Sequence, residues 1–421
     1  MEKKEKAPVL RFKDTNGKDY PAWEQRELKD VAEIVGGGTP STSVPAYWNG
    51  SIDWYSPTEI GQENFAKGSK RKISNEGLNN SSAKLLPAHK TILFTSRATI
   101  GEAAILEREG ATNQGFQSIV TKEGVDVYFL YSYKHHLKKQ ALIKASGSTF
   151  LEISKNEVEG LHVPVPSGEE QAKIGSFFKL VDKAITLHQR KLEALKKLKR
   201  TLLQKMFPKK DQLNPELRFP GFTNDWEQRK LGEIVQLNGR IGFRGYTQKD
   251  IVSKESGGIL TFSPTNIVDN VLSTDCKNTY ITRSKYEESP EIQVHNNDIL
   301  FVKTGSTLGK SALVRNLKEA STINPQLVVI RSQIFNPDFL ARILCTDGVL
   351  KQVRASRIGG AIPTLTETEI KKFRINTPKE AEEAKKIGAF FNFLDESIAL
   401  HQRKLETYKK LKKGLLQKMF I

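Results

Sequence analysis

The sequence is poor in the residues that build covalent or metal-bound scaffolds. Its 421 residues include two cysteines, Cys276 and Cys345, so a disulfide framework is excluded, and neither has the spacing of a metal ligand. No run approaches the ~20 apolar residues of a membrane span. The segment MEKKEKAPVLRF at 1–12 is charged without an apolar core, unlike a secretory signal. These absences predict a protein of the reducing cytoplasm.

A complete catalytic motif is also missing. The segment GSTLGKS at 305–311 resembles a phosphate-binding loop, but three residues separate Gly305 from Gly309 where that loop needs four. The matching segment SRATIGE at 96–102 has no lysine. An Asn-Pro-Pro-Phe-type methyltransferase motif is absent, whereas nuclease carboxylate motifs are too degenerate to exclude. A structural strand and turn is the favoured interpretation of 305–311, with a P-loop-like NTPase as the alternative.

What the sequence does contain is a long internal repeat. Residues 174–208 return at 387–421 with an offset of 213, no gap and roughly two-thirds identity. The segment WEQREL at 23–28 returns as WEQRKL at 226–231. The stretches between these repeats diverge. A closely repeated frame with divergent inserts predicts two modules that share one scaffold and do different jobs.

The positive charge is concentrated in the repeated segments. The net charge is +18. Nine Lys/Arg stand against one acid from Arg190 to Lys210, and seven against one from Arg403 to Lys418. A field of this sign favours a polyanionic partner. The alternative is that these lysines are only the solvated face of long helices.

Each repeated segment has the spacing of a coiled-coil helix. Apolar residues recur at alternating intervals of three and four, which places one seam along each helix. Two seams of the same shape most simply pack antiparallel on each other. His188 and His401 fall on the seams as polar residues that fix register; a metal site is less favoured because no second ligand lies one turn away. The predicted helix–helix seam comprises Phe178, Val181, Ile185, His188, Leu192, Leu195, Leu202, Phe391, Leu394, Ile398, His401, Leu405, Tyr408 and Leu415, with Leu198 and Leu411 on the same faces.

The remaining segments indicate mixed α/β domains. Short β-branched runs such as TILFTS at 91–96 and FQSIVTK at 116–122 alternate with helical patches. The predicted fold class is α+β: two mixed α/β domains separated by two long helices that form an antiparallel coiled coil, with a pseudo-two-fold internal repeat. The predicted segments are a first domain at 1–167, a central helix at 168–208, a linker at 209–222, a second domain at 223–379 and a C-terminal helix at 380–421.

The two domains also share weak internal similarity. TILFTSRATIGEAAI at 91–105 aligns with DILFVKTGSTLGKSAL at 298–313 with one inserted residue, and Asn113-Gln114 corresponds to Asn324-Pro325-Gln326. The alignment predicts a duplicated fold whose loop chemistry has changed.

Four ordered motifs resemble the specificity subunit of type I restriction–modification systems. They are GGGTPSTSVPAYWNGSIDWYSP at 36–57, TSRATIG at 95–101, TNQGFQS at 112–118 and GSTFLEISKNEVEGLHVPVPSGEEQAKI at 147–174. The second domain departs from the pattern, because RIGFRGYT at 240–247 replaces the first of these blocks. Residue-by-residue transfer therefore rests mainly on the first domain.

The resemblance implies a catalytically inactive subunit that recognises double-stranded DNA. Each target-recognition domain would read one half of a bipartite target, and the divergence of the domains predicts that the target is asymmetric. The helices would set the spacer and dock two modification (methyltransferase) subunits. Restriction subunits would add translocation and cleavage. S-adenosylmethionine, ATP and Mg²⁺ are implied for those partners and not for this chain.

Residues that read bases need forked donors or amides on loops: Arg suits guanine, and Asn or Gln suits adenine. For any one of them, a phosphate contact, a structural hydrogen bond or plain surface is an alternative. The candidates are Arg71, Lys72, Arg97, Gln114, Gln117 and Ser148 in the first domain, and Arg240, Arg244, Lys303, Thr304, Asn324, Gln326 and Arg357 in the second.

Overall fold

The computed structural model describes residues 8–147, 151–209, 212–359 and 362–420. The chain forms two compact units, Met1–Arg190 with Gln402–Ile421, and Lys191–His401. Each unit therefore combines one mixed α/β domain with parts of both long helices. Among the described residues, no helix has the length and apolar character needed to cross a membrane. The predicted boundaries of the five segments stay a prediction.

The first unit contains short strands and helices followed by the start of a long helix. The strands are β1 (Glu24–Glu27), β2 (Ala32–Gly36), β3 (Trp48–Tyr55), β4 (Phe65–Ala66), β5 (Arg71–Ile73), β6 (Thr91–Phe94), β7 (Ala103–Leu106), β8 (Gly110–Thr112), β9 (Gln117–Thr121) and β10 (His162–Val165). The helices are α1 (Leu28–Val31), α2 (Asn75–Asn79), α3 (Val127–Ser132), α4 (Lys134–Lys144), α5 (Lys155–Glu159) and the long α6 (Gly168–Lys205).

The strands of the first unit form two main sheets. One has the order β2-β9-β6-β7-β4, and the other has the order β5-β3-β8. The strands β3 and β8 are parallel, with Tyr55 opposite Thr112. A separate antiparallel pair joins β1 to β10. The predicted strands at 91–96 and 116–122 are confirmed by β6 and β9.

The second unit repeats this plan with other loops. Its strands are β11 (Glu227–Lys230), β12 (Val235–Gly239), β13 (Ile259–Phe262), β14 (Ile267–Val268), β15 (Val271–Leu272), β16 (Thr279–Ile281), β17 (Ile299–Val302), β18 (Ser311–Leu313), β19 (Ser321–Ile323), β20 (Leu327–Ser332) and β21 (Arg374–Thr377). Its helices are α7 (Arg283–Glu287), α8 (Pro337–Leu344), α9 (Asp347–Ser356), α10 (Glu367–Lys371) and the long α11 (Ala381–Met419).

The sheets of the second unit match those of the first. The larger has the order β12-β20-β17-β18-β15-β14, the smaller β16-β13-β19, and β11 pairs with β21. Strand β13 runs parallel to β19, with Phe262 opposite Ile323, as β3 does to β8. The predicted α+β class and the duplicated domain are therefore confirmed.

A buried carboxylate anchors the first turn of each long helix. In the first unit, Glu170 is fully buried and accepts hydrogen bonds from Arg11 at 2.7 and 3.1 Å and from the indole of Trp23 at 3.0 Å. The hydrogen bond to Glu170 raises the pKa of Arg11. Charge-assisted, bidentate contacts of this kind offset part of the cost of burying a carboxylate.

The second unit repeats the anchor. Glu383 accepts from Arg218 at 2.7 and 2.8 Å and from the indole of Trp226 at 3.1 Å. The anchor gives a role to the tryptophan of the duplicated WEQR and to the arginine of the LRF that occurs at both 10–12 and 217–219. These short repeats preserve the donors of one carboxylate.

The end of α11 completes the core of the first unit. Phe420 is 4% exposed and its ring lies 6.0 Å from that of Trp23, 5.8 Å from Phe129 and 6.1 Å from Phe178. In the second unit, Phe207 at the end of α6 takes the equivalent place beside Trp226 and Phe391. Each domain is thus closed by a phenylalanine from the helix that ends beside it.

Replacing Phe420 by Ala is expected to destabilise the first unit by about 3–5 kcal/mol, the usual cost of removing a buried aromatic ring. Hydrogen-exchange mass spectrometry should show lost protection around Trp23 and unchanged protection around Trp226. The exposed Leu411→Ala is the control and should change neither region. Phe207→Ala should give the mirror result. Equal loss of protection in both units for Phe420→Ala would contradict this assignment of the cores.

Candidate nucleic-acid interface and its helix frame

Within the first unit, the start of α6 and the end of α11 run antiparallel. Asp182 accepts from Lys412 at 2.6 and 2.8 Å, and the ring of His188 stacks on Tyr408 at 5.4 Å. Contacts therefore move backwards along α11 as they move forwards along α6. Asp182 is 4% exposed, so its partner is needed to neutralise a buried charge.

Within the second unit, the other parts of the same helices are also antiparallel. Lys199 binds Asp395, and the ring of Phe207 lies 6.1 Å from Phe391. Asp182 and Asp395 are separated by the repeat offset of 213 residues, and so are Lys199 and Lys412. We call the two long helices α6 and α11 the helix frame. It carries the same Asp–Lys pair twice, and the helix that supplies the aspartate in one pair supplies the lysine in the other.

The α/β domains bind the same two aspartates. Tyr128 of α3 donates to Asp182 at 2.7 Å, and burial raises the pKa of this phenol. Arg342 of α8 binds Asp395 at 2.7 Å. Each ion pair thus joins its domain to the frame as well as helix to helix.

The structure gives the exposure of the predicted seam residues, while their contacts across the seam, apart from that of His188 with Tyr408, stay a prediction. All fourteen are buried or half-buried. Leu198 and Leu411, which were predicted on the same faces, are 45% and 48% exposed. That extension of the seam is wrong, because Lys199 and Lys412 occupy the inward positions as partners of the aspartates. Among the described residues, no group of three or more His, Cys, Asp or Glu side chains could hold a metal ion.

Exposed apolar residues on the helices are themselves repeated. Leu180, Leu187 and Leu411 are exposed in the first unit, and Phe393, Leu400 and Leu198 at the equivalent positions in the second. We call these six residues the outer stripe. Scattered exposed leucines need no explanation, but here the same three positions are apolar and exposed in both units.

Arg71 is the most pre-organised cation of the first domain's candidates. Its guanidinium lies 3.6 Å from the ring centroid of Trp48 and 5.4 Å from that of Trp54. Both indoles donate to backbone carbonyls, of Ser41 and Gly38. Within the described part of the chain, Arg71 forms no ion pair, so its donors remain available.

The other candidates of the first domain have internal contacts or lie outside the described residues. Lys72 lies 3.4 Å from Asp53, and Arg97 binds Glu152 at 2.6 Å. Gln114 accepts from Thr39. Gln117 is half-buried. Ser148 lies outside the described residues.

Most candidates of the second domain also have protein partners. Arg240 is buried and donates to the Ile323 carbonyl, Arg244 lies 3.6 Å from Glu291, and Lys303 binds Glu367 at 3.2 Å. Thr304 is half-buried, Asn324 is buried and Arg357 is exposed. These placements separate structural from available donors, while the DNA-contacting role of each residue stays a prediction.

Sequence reasoning missed a repeated turn, Ser-Pro-Thr, at 56–58 and 263–265. Ser56 donates from its backbone and its hydroxyl to Glu59, and Ser263 does the same to Asn266. In each case the proline begins a short 3₁₀ turn. The signal was present as SPT-x-I in both halves, but it is short.

A second loop meets this turn at the end of each parallel strand pair. The backbone of Asn113 donates to Tyr55, and that of Asn324 to Phe262, at 3.0 and 2.8 Å. Each asparagine side chain then accepts from the backbone two residues on, which is Gly115 in one case and Gln326 in the other. These hydrogen bonds correct the sequence alignment: Gly115 is equivalent to Gln326, and Gln114 to Pro325.

A third loop completes the cluster. Backbone hydrogen bonds join Thr95 to Glu102 and Val302 to Lys310, so Glu102 and Lys310 are equivalent. Lys310 leads directly into strand β18. A phosphate-binding loop opens a helix instead, so the NTPase alternative is not supported.

In the second domain the three loops surround an open cleft. Its volume is about 490 Å³, and the lining includes Ser263, Thr265, Thr307, Lys310 and Gln326. Such a cleft offers hydroxyl, amide and ammonium groups together, which are the groups used to bind base edges and phosphates.

The comparisons with known proteins agree with this architecture. The family model described as "Type I restriction modification DNA specificity domain" matches residues 21–197 and again 223–410. The chain belongs to this family. The two matches correspond to the two repeated halves, so the predicted resemblance is confirmed.

Other type I specificity subunits are similar to this protein over nearly the whole chain. The MjaIX specificity subunit of Methanocaldococcus jannaschii is 29% identical over 97% of this chain and 95% of that protein. The MjaVIII specificity subunit of the same organism is 20% identical over 96% and 94%. The crystal structure of a type I S subunit from M. genitalium has a TM-score of 0.66 at 14% identity, covering 99% of both chains.

Exchanging the charges of Asp182 and Lys412 tests the register in which α6 and α11 pack. Asp182→Ala leaves Lys412 without its partner and is expected to cost about 3–5 kcal/mol. The double variant Asp182→Lys with Lys412→Asp should recover much of that loss, and the Tyr128 hydroxyl can still accept a hydrogen bond there. Urea unfolding measures the change, with the exposed Lys413→Asp as control. A double variant no more stable than the sum of its single changes would contradict the pairing.

Proposed function

We propose that this specificity subunit reads an asymmetric bipartite sequence in double-stranded DNA, with one half-site for each domain. One observation carries the proposal: the same three-loop cluster is built twice, with different residues at matched positions. Glu102 and Gly115 in the first cluster stand where Lys310 and Gln326 stand in the second. Because bases are distinguished by donor and acceptor patterns, such a change alters which base fits.

The helix frame would hold the two readers at a fixed separation. The repeated Asp–Lys pairs support this role, since each allows one register of the antiparallel helices. Pseudo-two-fold symmetry of the frame would place the half-sites about one DNA turn apart, roughly 10 base pairs between centres. The helices would therefore define the non-specific spacer of the target.

We expect the chain to have no catalytic activity of its own and to act through partner subunits. The outer stripe is duplicated, so it suits two copies of one partner, which we propose to be the modification (methyltransferase) subunits. They would contribute S-adenosylmethionine, and restriction subunits would contribute ATP and Mg²⁺. Lys199 and Lys412 serve the frame itself, which leaves neighbouring cations such as Lys196, Lys197 and Arg200 for partners or DNA.

Exchange of one domain tests the bipartite reading. Residues 20–165 are replaced by the first domain of another family member, and the complex with modification subunits is assayed by sequencing methylated adenines. One half of the methylated sequence should change and the other should stay. A change in both halves would contradict modular reading. Methylation or DNA binding without any sequence preference in the parent complex would instead favour a non-specific coiled-coil scaffold.

Substitution in the outer stripe tests the docking role. Leu187→Ser and Leu400→Ser, at equivalent positions, should each weaken assembly with the modification subunit about 10- to 150-fold, because a leucine buried at an interface contributes about 1.5–3 kcal/mol. Gel filtration and calorimetry measure the assembly. Leu142→Ser, on α4, is the control because Leu142 is 47% exposed and lies outside the repeat. Intact assembly with weakened DNA binding would assign the stripe to DNA instead.

A further inference from the structure

The two loop clusters share one set of groups and differ in another. The Ser-Pro-Thr turns and the asparagines at 113 and 324 are common to both domains. A ligand part that is the same in both half-sites, such as the sugar–phosphate backbone, suits these common groups. The positions that differ, 102/310 and 115/326, are then the ones that can distinguish bases.

Lys310 is an available cation in the second cluster. It is exposed, lines the cleft and forms no ion pair with any residue in the described ranges. Lys303 on the same loop differs, because Glu367 binds its ammonium group. In the first domain the equivalent Glu102 is held by Lys138 at 2.5 Å. The first cluster therefore offers no free cation at this position.

The hydrogen bonds around Asn324 fix the orientation of Gln326. The Oδ1 of Asn324 accepts from the backbone of Gln326 at 3.0 Å, so its amide nitrogen is the atom that faces the Gln326 side chain. That nitrogen donates to Oε1 of Gln326 at 3.0 Å. The Nε2 of Gln326 is left as a donor on the side of Gly305, a residue of the cleft wall. Gly115 provides no such group in the first domain.

We propose that Lys310 and Gln326 form the guanine-reading pair of the second domain. Both residues line the same cleft and each offers a donor. Two donors match guanine, whose major-groove edge presents two acceptors, O6 and N7. Adenine and cytosine each present an amino donor there, which would oppose a lysine. The inference rests on the proposed function and adds which base and which residues are involved. It also gives the GSTLGKS segment a role: a turn that presents Lys310.

The test uses the complex with modification subunits and its mapped methylation target. Duplexes with each base pair of the second half-site changed in turn are assayed for binding and methylation. Lys310→Met keeps the aliphatic stem and removes the charge. At one G·C pair it should reduce discrimination against the other bases about 5- to 150-fold, as expected for the loss of 1–3 kcal/mol. Lys310→Arg should retain the preference for guanine, and Gln326→Ala should weaken it at the same pair.

Two controls separate this effect from general weakening. Lys351→Met changes an exposed lysine of α9 that does not line the cleft and should leave discrimination unchanged. On the DNA side, 7-deazaguanine at that pair removes N7 and should reproduce part of the loss, whereas inosine keeps both acceptors and should bind as guanine does. The DNA substitutions need no variant protein and so remain informative if a variant assembles poorly.

Three results would overturn the proposal. A uniform loss of affinity over all sequences, with a salt slope smaller by about one, would make Lys310 a phosphate contact. Unchanged discrimination would place it outside the interface. Loss of discrimination in the first half-site would mean that the effect is not local. If the unaltered complex showed no sequence preference, the proposed function itself would fail, which is a distinct outcome.

Discussion

Each unit depends on a charge that one long helix buries and the other neutralises. Removing a carboxylate from water costs several kcal/mol unless a partner of opposite charge meets it in good geometry. Asp182 meets Lys412, and Asp395 meets Lys199. A helix displaced by one residue would leave both charges of a pair without partners, so the pair selects a single register, as polar residues do in coiled coils.

The same aspartates determine where the domains attach. Tyr128 and Arg342 reach them from α3 and α8, so each domain is positioned against the register that the ion pair selects. The carboxylates of Glu170 and Glu383 fix the first turns of the long helices in the same way. The loops that vary between the domains are therefore supported by acids that occur in both halves, of which Asp182, Glu170 and Glu383 are buried and Asp395 is half-buried. Their chemistry can change without moving the scaffold.

The two long helices could be predicted from the sequence because their apolar pattern is long and periodic. The placement of Leu198 and Leu411 on the seam was wrong for a physical reason. The seam prediction continued from Leu195 to the apolar Leu198. Strict alternation of three- and four-residue intervals would instead place Lys199 on the seam. The inward position holds a lysine because its partner is an aspartate, and periodicity of hydrophobicity alone does not show such a pair. The loop clusters were less predictable still. The partners that occupy Lys303 and Arg240 lie 64 and 83 residues away, and the equivalence of Gly115 with Gln326 rests on hydrogen bonds rather than residue identity.

The closure of the first unit's core by Phe420 has a consequence for folding during synthesis. The second unit is contiguous along the chain, whereas the first needs residues 402–421 to join residues 1–190. At about 5–20 residues per second, a ribosome takes roughly 10–40 s to pass from the first segment to the last. During that interval Trp23, Phe129 and Phe178 lack the ring that covers them. The unit whose synthesis starts first therefore completes its core only after residues 191–401 have been made, and the nascent chain carries an uncovered aromatic surface during that interval.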